Sequence, residues 1–454
     1  MADAPTVVVG GGLAGVSAAL RLADLGRPVV LVEKRPRLGG AAFSFPRAGL
    51  WVDNGQHVFL RCCSAYRWFL DRIGATGDVV LQDALDIPVL APDGRRARLR
   101  RTPGLPAPVH LTAALARYGV LSPLDRARAV RGALALRFLD PGDRRLDERT
   151  LGGFLRAHGQ NDATIAALWG IVATATLNLD PDEASLALAA KVFRTGLLDS
   201  APAGDVGYAA VPLGRLHDDA AAKALADAGV EVLTDAAVRS VTPAGPVQVE
   251  TADGPRTIAA HAAVLALPHR EAFRVTPSLA QTAAAPAAGL GASPILNVHV
   301  VYDRRVTELG FAAAVDSPVQ WFFDRTDGSG LAAQRPGAQY LAVTVSAAAG
   351  LIDEPSRSVL DRFLPELARL LPRAGAAHIV DAFVTRERRA TFRQAAGSWA
   401  MRPRPTDGPD GVLLAGAWTD TGWPDTMEGA VRSGVAAADA AAGTPPHEIK
   451  RFPG

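Results

Sequence analysis

The sequence predicts an α/β fold, and three observations carry that reading. A β-branched run at Val7–Val9 opens into Gly10-x-Gly12-x-x-Gly15 and then into a helical pattern over residues 14–23. Gly26 ends the helix and "PVVLVEK" supplies a second buried strand, so strand, helix and strand follow within about thirty residues, the order of a Rossmann-like nucleotide-binding unit. A third signal lies near the other end, where "DGVLLAGAWTDTGWPDTMEGAVRSG" reads as a short strand, a polar turn and a helix. At 454 residues the chain is about three times the ~150-residue domain prior, which leaves room for a second, α+β domain.

Each element of the first unit has a physical task. Gly10 makes the tight turn, Gly12 lets the backbone approach a pyrophosphate, and Gly15 lets the helix pack close to the strand. Gly11, Leu13 and Ala14 complete the turn and the helix start, whose free N–H groups and positive dipole end suit phosphates. Glu33, at the end of the second strand, is placed to accept hydrogen bonds from a ribose diol, which favours FAD or NAD over NADP. "RPRLGGAAFSF" follows at once, where a simple NAD domain begins another helix. Gly39 and Gly40 would let the backbone pass the flavin side of the pyrophosphate, with Lys34 or Arg37 as a phosphate partner, and they tilt the choice to FAD.

"VDNGQHVFL" comes next, five polar or glycine residues (Asp53, Asn54, Gly55, Gln56 and His57) between apolar flanks. A nucleotide-domain segment returns near residues 220–267 as helix, Gly229 break, strand, hairpin and closing strand, with Val238 on the hairpin. The FAD-binding domain is therefore expected to comprise 1–85, 206–270 and 391–454, and a discontinuous substrate domain 86–205 and 271–390. In the first insertion Ala127, Val130, Leu134 and Phe138 form one helical stripe flanked by Arg126, Arg128, Arg131 and Arg137. That pattern fits either a lipid headgroup interface or an ordinary helix packed on its lobe. The second insertion reads as antiparallel strands, with Trp321, Phe322 and Phe323 as pocket candidates and His299 as a satisfied sheet histidine. At the C-terminal end a strand spans Val412–Ala415, and Asp425 with Glu428 has the pattern of a capping box for a helix from about Thr426.

Composition excludes several classes. The net charge is +2, from 48 basic and 46 acidic residues, so no nucleic-acid partner is implied. The two cysteines, Cys62 and Cys63, are adjacent and fit neither a C-x-x-C pair nor a zinc site, and no metal is expected. The apolar stretch around residues 165–179 is short of the ~20 residues a membrane span needs, and no signal peptide is read. A cytoplasmic protein follows, or one resting on the inner face of a membrane; few lysines and abundant alanine point to a GC-rich bacterial genome.

The two ends together resemble the amine oxidase and phytoene desaturase superfamily of FAD proteins. "VDNGQHVFL" and "AGAWTDTGWPDTMEGAVRSG" resemble more closely the hydroxysqualene dehydroxylase family, also described as squalene-associated FAD-dependent desaturases. The resemblance implies reductive removal of an allylic hydroxyl, converting hydroxysqualene to squalene and water at the expense of reduced FAD, in hopanoid biosynthesis. It places Asn54, Gly55, Gln56 and His57 near the isoalloxazine, Val238 at the adenine through its backbone, and Gly416, Ala417, Trp423, Pro424, Thr426 and Met427 around the flavin. For the proton that the leaving hydroxyl needs, His57 is the first choice, with Gln56, Asp53 and Asp420 as further catalytic candidates. Asp425 and Glu428 are rival proton sources already explained as helix caps.

Two departures stand out. Ala41 occupies a position where many relatives have arginine, and Ala417 one where they usually have an acid that holds the flavin's ribityl or pyrophosphate region. The same scaffold also serves carotenoid-type desaturases and isoprenoid oxidases, which remove hydride, and non-catalytic prenyl-lipid carriers such as the Rab dissociation inhibitors.

Overall fold

The computed structural model describes residues 4–447 and 449. Its first sheet is five-stranded and parallel, in the order Glu231–Leu233, Val29–Val32, Thr6–Val9, Ala262–Leu265 and Val412–Leu414. The three central strands are buried along their whole length, which is why they read as unbroken apolar runs and not as alternating ones. The Leu13–Asp24 helix and the C-terminal helix, Met427–Ala442, pack together on this sheet. They touch backbone to backbone at Gly434, where a Cβ would lie 2.1 Å from the carbonyl oxygen of Ala14. The two ends of the chain are thus locked together by a glycine that the sequence shows only as one small residue in a helix.

The segment near 220–267 folds in the expected order, with helix Ala221–Asp227 and a three-stranded antiparallel sheet between the edge strand and the closing strand. A second large sheet has seven strands, and residues 86–100 contribute the hairpin Asp86–Leu90 with Arg96–Arg100. Residues 293–391 contribute the other five, centred on Ser293–Tyr302 between Gln339–Val345 and Ile379–Thr391. The helices of the first insertion form their own apolar cluster around Leu151, Trp169, Leu186 and Phe193. Among the described residues no helix is long and apolar enough to cross a membrane, and no group of three His, Cys, Asp or Glu side chains could hold a metal ion.

Candidate functional site

The glycine turn after the first strand forms a cradle. A Cβ on Gly15 would lie 1.8 Å from the Gly10 carbonyl oxygen, so only glycine allows this helix to start so close to the strand. Gly12 differs, since a Cβ there would meet only the Gly40 Cα, at 3.6 Å. The protein itself therefore gives no packing reason for glycine at 12, whereas a phosphate seated on the helix N-terminus would. Gly12 caps that helix in extended conformation without a side-chain hydrogen bond, and the first turn holds no acid. The second glycine pair folds over the first: the Gly39 N–H donates to the Gly11 carbonyl at 2.9 Å, and Gly40 sits at φ +57°.

Glu33 is buried beside the turn, accepting from the Gly11 N–H at 2.6 Å and the Arg35 N–H at 2.9 Å. Arg37 holds the second glycine loop, donating to the Leu38 and Gly40 carbonyls at 3.0 and 3.3 Å, with its guanidinium 3.6 Å from the Phe43 ring centroid. Burial and the neighbouring Arg35 push its pKa below the ordinary value. Lys34 is exposed, its charge acting on Glu271. Val238 pairs with Val249 and belongs to the same apolar cluster as Val9 and Val32. An unclaimed helix N-terminus, a glycine with open space before it and a buried acid on the second strand together fit the adenine dinucleotide half of FAD.

Asp53 ends the strand Leu50–Asp53, and its buried carboxylate is fully engaged. It pairs with Arg325 at 2.9 Å and accepts from the Ser44 hydroxyl at 2.6 Å and the Leu213 N–H at 2.9 Å. This corrects the expectation of a proton donor there: Asp53 clamps three segments together. Asn54 ties the second glycine loop to the large sheet, accepting from the Phe43 N–H and donating to the Ala41 carbonyl and Glu387, while its own carbonyl accepts from the Asn297 amide. A Cβ at Gly55 would find the Asn297 amide no closer than 3.6 Å. Here too the protein does not need glycine for itself.

Gln56 Nε2 is buried and has no partner among the described residues. His57 is half-buried, and burial pushes its pKa below the ordinary value against the pull of Asp53. Both line a small cavity with Tyr208, Phe323 and Arg325. His217, which sequence reasoning passed over, feels the charge of His57 and is driven down to about 3, mostly by burial. Its ring meets the Tyr66 hydroxyl at 2.8 Å and the Ala42 carbonyl at 3.2 Å. Beyond the cavity Tyr208, Phe311, Trp321 and Phe323 contact one another as an aromatic wall. Phe322 is not part of it: strand alternation turns this ring to the opposite face, into the cluster with Leu296 and Val343. His299 is a satisfied sheet residue, bonded to Tyr340 and Thr385. A wider cleft of about 430 Å³ opens beside Arg37, Phe43, Trp51, Pro212 and Arg215.

At the C-terminal turn, Gly416 takes φ +133° and donates to Ser433 on the helix at 2.8 Å. Ala417 is buried, and its carbonyl accepts from Arg402 at 3.0 Å. Arg402, invisible to motif reasoning, also donates to the Thr419 carbonyl at 2.6 Å, while its Nε and Nη1 are buried without partners among the described residues. Burial drives its pKa down to about 10. The carboxylate of Asp420, a catalytic candidate from sequence, is committed to Arg144 at 2.7 Å and the Trp399 indole at 2.8 Å. Trp423 lies between the cations of Lys191 and Arg432, and Pro424 precedes the helix, its carbonyl accepting from the Thr426 hydroxyl.

The expected capping box is corrected. The N-cap is Thr426, whose hydroxyl accepts from the Gly429 N–H at 3.2 Å. Glu428 is one place too early for the box and instead accepts from the Ala65 and Tyr66 N–H groups and from Arg432. Asp425 is drawn away by the Phe392 N–H at 2.8 Å, while its own N–H donates to Gln394 at 2.8 Å. Burial raises its carboxyl to about 6. Met427, half-buried at the first helical position, packs against the cluster that contains Leu13 and Ala14.

Comparison with known proteins gives a consistent picture. The model of the family described as flavin containing amine oxidoreductase matches residues 13–442. The hydroxysqualene dehydroxylase of Rhodopseudomonas palustris is 29% identical over 445 residues, covering 95% of this chain and 97% of its own. The zeta-carotene desaturase of Zea mays is 24% identical over 485 residues, covering 94% and 81%. Among solved structures, putrescine oxidase aligns with TM-score 0.69 at 18% identity over 97% of this chain and 98% of its own. Cyclohexylamine oxidase from Brevibacterium oxydans aligns with TM-score 0.65 at 18% identity over 97% and 99%. These two show the fold.

Proposed function

The chain belongs to the family of flavin-containing amine oxidoreductases and is an FAD-dependent oxidoreductase, and on that premise we propose that it is a hydroxysqualene dehydroxylase. The proposed reaction is reductive: hydroxysqualene accepts a hydride and a proton and leaves as squalene and water. The observation that carries the reading is the pairing of an aromatic wall (Tyr208, Phe311, Trp321, Phe323) with one small polar group (Gln56, His57) at its end. The cavity where Tyr208 and Phe323 meet Gln56 and His57 is about 10 Å³, the size of one hydroxyl or water, so it suits the hydroxyl group of such a substrate. The near full-length likeness to a dehydroxylase supports the same choice.

FAD supplies the hydride when bound in its reduced form. Gly10 to Ala14, Glu33, Gly39, Gly40, Val238 and the start of the C-terminal helix would hold it, and Asn54 fixes the polar stretch against the second glycine loop. Hydroxide is a poor leaving group, so a chain residue must protonate it as the C–O bond breaks. Burial pushes the pKa of the His57 ring below its ordinary value, which weakens it as a proton reservoir. Asp425 is suited: its carboxyl is raised to about 6, and Oδ1 has no partner among the described residues while Oδ2 is held by Phe392. Asn54 is anchored to the long strand at Glu387 and Asp425 just past its end at Phe392, about 16 Å further along the extended chain. We therefore assign proton donation to Asp425 and hydroxyl positioning to Gln56, whose Nε2 is free to donate.

The test is anaerobic. Protein with reduced flavin is mixed with hydroxysqualene, and flavin oxidation is followed together with product mass; stoichiometric squalene is expected. No oxidation by hydroxysqualene, with flavin reduction by a carotene precursor in the reverse experiment, would instead favour the desaturase reading that the likeness to zeta-carotene desaturases keeps open.

A further inference from the structure

The first insertion carries a face that the fold leaves uncovered. Ten large apolar side chains are exposed among the described residues, and six of them lie between Leu105 and Phe138: Leu105, Val109, Leu124, Val130, Leu134 and Phe138. Four of the six belong to the helix Pro123–Arg137 and its C-cap. The inward positions of that helix are Asp125, Ala129, Gly132 and Leu136, a narrow face with small residues at its centre. A Cβ on Gly132 would already lie 3.0 Å from Gln160 and Trp169, so the helix sits tightly on its lobe by this face. The bulky stripe Ala127, Val130, Leu134 and Phe138 consequently points outward, with Phe138 82% exposed. The helix does pack on its lobe, as one of the two sequence readings has it, but through the small face and not through the bulky stripe.

Charge is concentrated on the same stretch. Residues 95–139 hold ten arginines and one acid, Asp125; Arg95, Arg98, Arg100 and Arg101 are paired with acids outside this stretch, whereas those nearest the helix have no such partner among the described residues. Around the exposed stripe Arg128 pairs with Asp125. Arg126 and Arg137 donate only to backbone carbonyls, which leaves their charge uncompensated. Arg117 and Arg131 are exposed and make no ion pair among the described residues. An apolar stripe bordered by uncompensated guanidiniums complements one kind of surface, acyl chains beneath anionic headgroups.

We propose that this face rests on an anionic phospholipid bilayer. Leu124, Val130, Leu134 and Phe138 enter the acyl boundary, while Arg117, Arg126, Arg131 and Arg137 reach lipid phosphates with their stems laid along the apolar surface. The assignment stands on the face itself and not on the reaction, so its test uses no substrate. Flavin-loaded full-length protein is sedimented with vesicles of phosphatidylcholine alone and with vesicles that also contain phosphatidylglycerol. Binding to the mixed vesicles is expected, weakening steeply as salt is added. The double substitution Leu134→Glu with Phe138→Glu should lower that binding at least about tenfold while flavin content and melting temperature stay unchanged. Val380→Glu, at an exposed apolar site outside the patch, should leave it intact. Equal sedimentation of the wild type and the double variant, or none with either vesicle, would overturn the proposal. So would a dimer seen by light scattering that the double variant dissolves in protein that ignores vesicles, since the face would then serve a second copy of the chain.

Discussion

Replacing Asp425 by asparagine tests the proposed proton donor with the least disturbance. Asparagine keeps the shape and can still accept from the Phe392 N–H, so the anchoring at 2.8 Å survives while the acidic proton is lost. At pH 7 a carboxyl titrating at about 6 is roughly 9% protonated, against roughly 0.06% for one at 3.8, so burial multiplies the competent form about 150-fold. Removing a positioned general acid costs roughly 10²–10⁴ in rate. Oxidation of the reduced flavin by hydroxysqualene, followed by stopped flow, should therefore slow by at least about 100-fold in the variant. In the wild type the rate should be flat below pH 6 and fall about tenfold per pH unit above it, and the variant should lose that dependence. A second readout needs no substrate. Because the folded protein binds this proton more tightly than the unfolded chain, stability is greatest below about pH 4 as far as this group is concerned and declines as pH rises to about 6. The variant should lose that component of the pH dependence of its melting temperature. A variant that turns over at the wild-type rate with an unchanged profile would refute the assignment even if the thermal behaviour followed expectation.

Three further outcomes follow from the same geometry. Gly12→Ala should keep the apoprotein's melting temperature, since the added methyl meets only Gly40 at 3.6 Å, yet weaken FAD binding by about 1–3 kcal/mol in a flavin titration; Gly15→Ala should instead fail to fold stably. Asp53→Asn leaves Arg325 buried without its counter-charge and should cost about 3–5 kcal/mol in chemical denaturation. His57→Gln should keep the wild-type pH profile and lose less than about tenfold in rate, and a pH-dependent loss of the size expected for a general acid would return the proton to His57.

The nucleotide unit was legible because each of its signals is local: strand, glycine turn, helix and acid follow one another in the chain, and Gly15 is demanded by the Gly10 carbonyl five residues earlier. The C-terminal strand and helix were legible for the same reason. The roles of the acids were not, because each is decided by a distant partner. Asp53 became a clamp through Arg325, and Asp425 lost its cap to the N–H of Phe392, 33 residues earlier. A Thr following Asp at a helix start offers two competing caps, and only the tertiary donor decides between them. The arginine helix shows the complementary case, in which the deciding signal was present but unread. Its bulky stripe has the same spacing whether it faces a core or a membrane, and the informative face was the opposite one. Asp125, Ala129, Gly132 and Leu136 recur at intervals of four, three and four residues, and small residues at its centre allow close approach to a neighbour. When a helix carries two candidate faces, one bulky and one small, the small face is the better guide to what lies against it if the bulky one is bordered by unpaired charge. By that criterion the exposed stripe follows from the sequence, and the cavity polarity around Gln56 and His57 does not, because it depends on strands more than 150 residues away.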